Sequence, residues 1–342
     1  MQLSEFDYEL PPERIAQQPP AERDAARMLV LRRTDGDLED RQFRDLPELL
    51  APGDLLVANE SRVFPARLLG QRADGGKAEI LLLEEVGAEE WTALTRPAGK
   101  LAPGTKLAFA AGLRAEVVGR SERGERRLRF SGVPSLAAWL EIHGHVPLPP
   151  YIRRPDAAAD HERYQTIYAR ATGSAAAPTA GLHFSARVLE RLKACGMAWT
   201  TISLHVGLGT FQPVTSETIE QHPMHHERYA VSAAAAAALN RARSRGKRII
   251  GVGTTAARVL ETIAPDAGSQ FAPSSGATGI YIYPGYSFRA LDGLLTNFHA
   301  PKTTLLMMIA ALAGLDRVRH AYRHALQNGY RFLSYGDCML IL

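Results

Sequence analysis

Between about Val63 and Gly132 the chain carries a turn signal roughly every ten residues, a rhythm that only a small all-β unit accommodates. RLLGQ is followed by Asp74-Gly75-Gly76 and then AEILLLEE. WTALTRP comes after Gly87, TKLAFA after Gly104, then LRAEVVG, Arg123-Gly124 and RRLRFSG. Leu107 and Phe109, and later Leu128 and Phe130, alternate with other residues at the strand period. Short strands at this spacing close into a small antiparallel barrel or pack as a sandwich.

From Ala176 onward the texture changes to alternating helix and strand. SARVLERLKACG starts at a capping Ser185 and ends at Gly196, and WTTISLHVG then reads as a strand. VSAAAAAALNRARSRG is a helix capped by Ser232 and closed at Gly246. The strand RIIGVG, the helix TTAARVLETIAP, the strand IYIYPG and the buried helix LLMMIAALAG follow. Strands alternating with helices argue for a mostly parallel sheet. GDLLV (Gly53–Val57) already reads as a core strand, so the β unit is expected to interrupt the α/β unit. The expected fold is an α/β domain with a mostly parallel sheet (1–62 and 151–342), carrying an inserted small antiparallel β-barrel domain (63–150).

Composition narrows the classes. At 342 residues with 46% apolar side chains, the chain is long enough for about two domains and a core without staples. Cys195 and Cys338 form no pattern, which excludes a disulfide framework and a cysteine-based zinc site and favours a reducing compartment. MQLSEFDYELPPERI lacks the apolar core of a signal peptide. The longest apolar run, Leu305 to Leu315, is too short to span a bilayer. A cytoplasmic, membrane-free monomer is expected. The net charge of +4 permits a nucleic-acid partner without requiring one.

Several motifs carry chemistry. In IIGVGTTAARVLE a strand runs through Gly251 and Gly253 into a helix, and the bare amides with Thr254 and Thr255 suit an anion. No acidic residue stands about twenty positions on to hold a ribose, so a nicotinamide dehydrogenase is not supported. HPMHHE offers His222, His225, His226 and Glu227, but Pro223 breaks the spacing and no metal site is assigned. PTAGLHFS, LHVGLGTF and TNFHAPK each place a histidine near an inferred strand end: His183, His205 and His299. Lys302 at a helix start adds positive field there. Arginines cluster at 241–248, at 120–129 and at 317–331, which favours a phosphate-backbone partner.

GDLLVANESRVFPARL (53–68), HGHVPLPPYI (143–152), ERYQTIYA (162–169), AAPTAGLHF (176–184) and HVGLGTFQPV (205–214) occur in that order. MHHE, VGTTAARVLE (252–261), YPGYSF (283–288), TNFHAPKTTLLM (296–307) and YRFLSYGDCMLI (330–341) complete the set. Together they resemble the S-adenosylmethionine:tRNA ribosyltransferase-isomerases of queuosine biosynthesis over essentially the whole chain. The resemblance implies a β-barrel interrupting an α/β domain and a metal-free reaction. The ribosyl part of S-adenosylmethionine moves to the aminomethyl-deazaguanine precursor base in a tRNA anticodon loop and is isomerised to give epoxyqueuosine. Adenine and methionine leave.

Such chemistry needs a base for the methylene beside the sulfonium, an acid for departing adenine, and an uncharged amine nucleophile. Histidine suits all three. The expectation is therefore His183 and His205 for proton transfer, with His299 and Asp337 as alternates; which one is the base stays open. Thr179, Gly181, Gly253, Thr254, Thr255 and Arg258 are expected to bind the cofactor, its methionine carboxylate on the helix start. Phe211, Tyr283 and Tyr286 are expected to stack on a base, and Arg67 and Lys302 to meet phosphates. The chain departs from the family pattern at Glu60 and Ser61 (usually Asp and Thr), Gly279 (often Asp), Ala300, Thr303 and Cys338. The competing readings are another S-adenosylmethionine-dependent tRNA-modifying transferase such as a methyltransferase, a metal hydrolase, and a non-catalytic RNA-binding protein.

Overall fold

A computed structural model of the chain describes residues 1–121, 124–207, 214 and 216–342. Its larger sheet has nine strands. In spatial order they are Ser274–Thr278, Glu227–Val231, Ala198–Leu204, Leu55–Asn59, Ile249–Val252, Gly293–Asn297, Cys338–Ile341, Arg27–Leu31 and Leu38–Gln42. The four central strands, from Ala198–Leu204 to Gly293–Asn297, run parallel to one another. Cys338–Ile341 is antiparallel to Gly293–Asn297 and parallel to Arg27–Leu31, and both outer edges are antiparallel. The parallel sheet expected from the sequence is thus the centre of a mixed one.

Apolar runs without alternation are the mark of strands covered on both faces. In Leu55–Asn59 every residue is buried. Leu55 and Val57 face a core shared with the helices Ala233–Ser244, Gly253–Thr262, Thr304–Ala313 and Leu315–Gln327. Leu56 and Ala58 face the opposite core, which is closed by Val188 and Leu192 of the helix Ala186–Ala194. The serines that start two of these helices cap them as the sequence indicates. Ser185 accepts the Val188 N–H at 3.2 Å, and Ser232 accepts the Ala235 N–H at 3.1 Å.

Six strands, Arg67–Arg72, Lys77–Gly87, Glu90–Arg96, Lys106–Ala108, Arg114–Arg120 and Arg126–Ser131, close into an antiparallel barrel. Its interior holds Leu68, Ile80, Leu82, Leu107, Val117, Leu128 and Phe130. The barrel is an insertion in the strict sense: Leu55–Asn59, before it, pairs directly with Ala198–Leu204, after it. No helix among the described residues is long and apolar enough to cross a membrane.

One expected strand is absent. IYIYPG forms no strand; the edge strand is Ser274–Thr278 instead. The chain after it is held by the buried Glu261 carboxylate, which accepts the Tyr286 hydroxyl at 3.0 Å and the N–H groups of Arg289, Ala290 and Leu291 at 2.9–3.0 Å. An ionised acceptor that collects four donors competes successfully with a sheet ladder.

Candidate active site

In open α/β sheets ligands bind outside the carboxyl ends of the parallel strands. Here those ends lead into Val206, Gly253 and Phe298, which line a cavity of about 140 Å³ together with the segment 176–180. The helix Gly253–Thr262 begins at this cavity. Gly253 sits at φ +87°, a left-handed conformation natural only to glycine, and no side chain caps the helix start. Thr254 and Thr255 line the same wall, as do Thr179, Thr296, Asn297 and His299.

Two polar atoms on this wall are buried without a hydrogen-bond partner: Thr255 Oγ1 and Asn297 Oδ1. Each orphan costs about 1–3 kcal/mol unless a ligand satisfies it. The Asn297 amide nitrogen is occupied, donating to the Leu333 carbonyl at 3.1 Å and lying 3.2 Å from His183 Nε2. Across the cavity the Tyr151 hydroxyl lies 2.6 Å from Ser334 Oγ, and burial pushes the phenol up to about 12.

The histidines fall into three settings. His299 is in the cavity wall, with Nε2 2.7 Å from Thr296 Oγ1 and its N–H given to the Tyr322 hydroxyl at 2.9 Å. Its carbonyl accepts the Tyr8 hydroxyl. His183 is buried behind Asn297, packed against Phe43 with ring centroids 5.4 Å apart and planes tilted by 36°, and does not line the cavity. Burial lowers both imidazoles to about 3, helped for His183 by Arg331 and Arg23. His205 follows the strand Ala198–Leu204, is half-buried with its buried Nδ1 unpartnered, and like His183 does not line the cavity. Burial, and then Arg228, lowers its pKa. A Cβ at Gly173 would stand 2.9 Å from that Nδ1, so glycine makes room for the ring.

The two deeply buried histidines imply an acid-labile fold. In the unfolded chain an imidazole titrates near 6.5, and in the fold near 3. Their stabilising contribution is therefore complete above about pH 6.5 and is lost progressively as pH falls toward 3. At pH 5 each has lost about 2 kcal/mol relative to pH 7. Urea unfolding at the two pH values should show this drop, and the pair His183→Gln/His299→Gln should flatten it; an unchanged drop in the variant would refute the assignment.

The remaining expected residues disperse. Asp337 spends both oxygens on backbone, accepting Arg27 N–H at 2.9 Å and Arg331 N–H at 2.7 Å, and does not line the cavity. Burial raises its pKa. It serves here as a tie between the C-terminal turn and the strand Arg27–Leu31. Gly181 lies against Tyr168, whose hydroxyl would be 2.2 Å from a Cβ there. Arg258, buried, pairs with Glu227 in a neighbouring small cavity also lined by His222 and His225. Among the described residues no group of three or more His, Cys, Asp or Glu side chains could hold a metal ion.

Arg67, Tyr283, Tyr286 and Lys302 stand outside the cavity wall. Arg67 Nε meets Glu79 at 2.9 Å, Tyr283 packs on Tyr281 with ring centroids 4.9 Å apart, and Lys302 Nζ lies 2.6 Å from Asp7. Phe211 lies outside the described residues, as do Glu122 and Arg123. The basic clusters also separate. Arg248 pairs with Asp54, Arg243 covers the Phe271 ring, and Arg126 is buried against three backbone carbonyls. Asn297, Thr296, Tyr151 and Ser334 were not among the expected site residues. They lie inside the motif blocks quoted above, but nothing separates them there from ordinary polar residues.

A family model described as "Queuosine biosynthesis protein" matches residues 3–341. The chain is 53% identical over 345 residues to the S-adenosylmethionine:tRNA ribosyltransferase-isomerase of Moorella thermoacetica, and 52% identical over 344 residues to that of Symbiobacterium thermophilum. Both alignments cover all of this chain and all of the relative. Among solved structures, the crystal structure of S-adenosylmethionine tRNA ribosyltransferase from Thermotoga maritima matches with a TM-score of 0.58 at 40% identity. That match covers 99% of this chain and 100% of the other.

Proposed function

Because this chain belongs to the queuosine biosynthesis protein family, we propose that its cavity binds S-adenosylmethionine and delivers the ribosyl part to tRNA. The acceptor is the aminomethyl-deazaguanine base of the anticodon loop. The ribose is isomerised to give epoxyqueuosine, and adenine and methionine are released. The enzyme is thus a transferase and isomerase that uses S-adenosylmethionine as co-substrate. It acts as a monomer in the cytoplasm, where its RNA substrate is. The observation that carries this reading is the full-length match to relatives of that name. The cavity at the strand ends supports it with two unsatisfied polar atoms on a wall of mixed threonine, asparagine, histidine and apolar side chains.

A sulfonium acidifies the ribose methylene beside it, and a base must take that proton. His205 is the base in this reading: its lowered pKa leaves it unprotonated at neutral pH, its Nδ1 has no hydrogen-bond partner, and it adjoins the cavity through Val206 without lining it. His299, Asn297 and Thr255 are neutral hydrogen-bonding groups for the adenosine, and Thr179, Gly253 and Thr254 shape its seat. His183 is a positioning residue that orients Asn297. Arg67, Lys302, Tyr283 and Tyr286 remain proposed RNA contacts outside the cavity.

Thr255→Val separates a ligand-directed hydroxyl from a structural one. It removes an orphan, so stability should hold or rise. KM for S-adenosylmethionine should rise about 5–10-fold through a lost hydrogen bond of about 1 kcal/mol. An unchanged KM would take Thr255 out of the site. The reaction itself is tested by mass spectrometry of a precursor-bearing anticodon stem-loop after incubation. Addition of the ribose-derived cyclopentane ring is expected. A product carrying only a methyl group, with S-adenosylhomocysteine released, would identify a methyltransferase instead.

A further inference from the structure

Phe298, His299, Ala300 and Thr303 of the cavity wall belong to the turn between the strand Gly293–Asn297 and the helix Thr304–Ala313. Three consecutive residues near the N-terminus grip this turn. The Phe6 carbonyl accepts the Lys302 N–H at 2.9 Å. The Asp7 carboxylate lies 2.6 Å from Lys302 Nζ, and the Tyr8 hydroxyl donates to the His299 carbonyl. From the other side, the Tyr322 hydroxyl accepts the His299 N–H at 2.9 Å. The Tyr8 and Tyr322 rings meet edge to face with centroids 5.2 Å apart, so two tyrosines in contact hold both backbone groups of His299. Lys302 sits at φ +57°, a left-handed conformation unfavourable to any residue but glycine. Such a conformation persists where the surrounding contacts over-determine it, as Phe6 and Asp7 do here. The gripping segment is itself tied down. Leu3 N–H donates to the Glu217 carbonyl at 3.0 Å, and Arg319 Nη2 to the Glu5 carbonyl at 2.7 Å.

We propose that Tyr8 is a positioning residue for S-adenosylmethionine binding, acting through the His299 carbonyl to set the imidazole in the cavity wall. The proposal rests on the ribosyl-transfer reading and adds to it the N-terminal segment, none of whose residues lines the cavity. Thr296 Oγ1, 2.7 Å from His299 Nε2, fixes the rotation of the ring. The backbone that carries the ring needs its own ties, because the sheet ladder has ended at Asn297 and Pro301 has no N–H to give. Tyr8 and Tyr322 supply them. A displacement of about 1 Å is enough to spoil a contact with a bound substrate. The two parts of Tyr8 have separate tasks: its ring packs on Tyr322 and Phe332, whereas its hydroxyl serves His299.

A double-mutant cycle on S-adenosylmethionine affinity tests this. Calorimetry is run with a stem-loop carrying unmodified guanine, so that no turnover occurs. The proteins are the wild type, Tyr8→Phe, His299→Ala and Tyr8→Phe/His299→Ala. Tyr8→Phe keeps the ring packing and should unfold in urea near the wild-type midpoint. It should nevertheless bind S-adenosylmethionine about 5-fold more weakly, the worth of one neutral hydrogen bond. His299→Ala should weaken binding about 10-fold. The double variant should bind no more weakly than His299→Ala, because Tyr8 then has nothing to position. Should His299→Ala fail to fold, His299→Leu, which fills most of the same volume, closes the cycle. Losses that multiply to about 50-fold in the double variant, or a Tyr8→Phe protein that binds as the wild type does, overturn the assignment while leaving the ribosyl-transfer reading intact. A wild type that does not bind S-adenosylmethionine overturns that reading and the assignment with it.

Discussion

His205→Ala is expected to lower turnover by about 10²–10⁴-fold, the usual worth of a positioned base, with S-adenosylmethionine affinity changed by no more than about twofold. The ring stands at the end of a central strand, beside Val206 of the cavity wall, with an unpartnered Nδ1. Burial and Arg228 hold its pKa below the ordinary imidazole value. The acid limb of the wild-type kcat/KM profile should therefore lie below pH 6.5, and His205→Gln should abolish that limb along with most of the rate. A variant that keeps both its rate and its acid limb would remove His205 from proton transfer. By contrast His183→Ala acts only through Asn297. Its loss should be about tenfold, expressed in KM as much as in kcat.

The largest stability effect is expected at Arg258. Arg258→Ala leaves the buried Glu227 carboxylate without its cation, and breaking such a pair from one side costs about 3–5 kcal/mol. Both side chains are under a tenth exposed, so solvent cannot make good the loss. Glu227→Gln/Arg258→Gln should recover most of that stability, because it removes both charges together. Urea unfolding at pH 7 measures all three proteins. Equal destabilisation by the single and double changes would show that packing, and not charge, governs the site.

Much of this architecture is legible in the sequence. The strand period and turn spacing mark the barrel because each strand must bury one face and expose the other, as Arg126–Ser131 does residue by residue. Ser185 and Ser232 announce their helices because a hydroxyl before a helical run has one purpose, the orphan N–H groups. The Gly253-Thr254-Thr255 turn is legible for the opposite reason, since among the described residues no side chain caps its helix start.

What is not legible depends on partners distant in sequence. Ile280-Tyr281-Ile282-Tyr283 has a strand's alternation, but Glu261 captures the chain that follows. Asn297 reads as the polar end of a strand until its unpartnered oxygen is seen inside a cavity. Glu227 reads as part of a histidine cluster, yet its charge belongs to an arginine 31 positions away. The arginine clusters mislead similarly. Adjacent cations point to different sides of their elements and find Asp54, Phe271 or backbone carbonyls. The mild net charge therefore locates no RNA surface.

Ribosyl transfer differs from every competing reaction of S-adenosylmethionine in one product. The decisive measurement is free adenine released from S-adenosylmethionine by the purified protein, with and without the precursor-bearing anticodon stem-loop. Adenine should form in step with modified RNA and only when the stem-loop carries the aminomethyl-deazaguanine base. Absence of adenine, or its release at the same rate without RNA, would contradict ribosyl transfer by this chain.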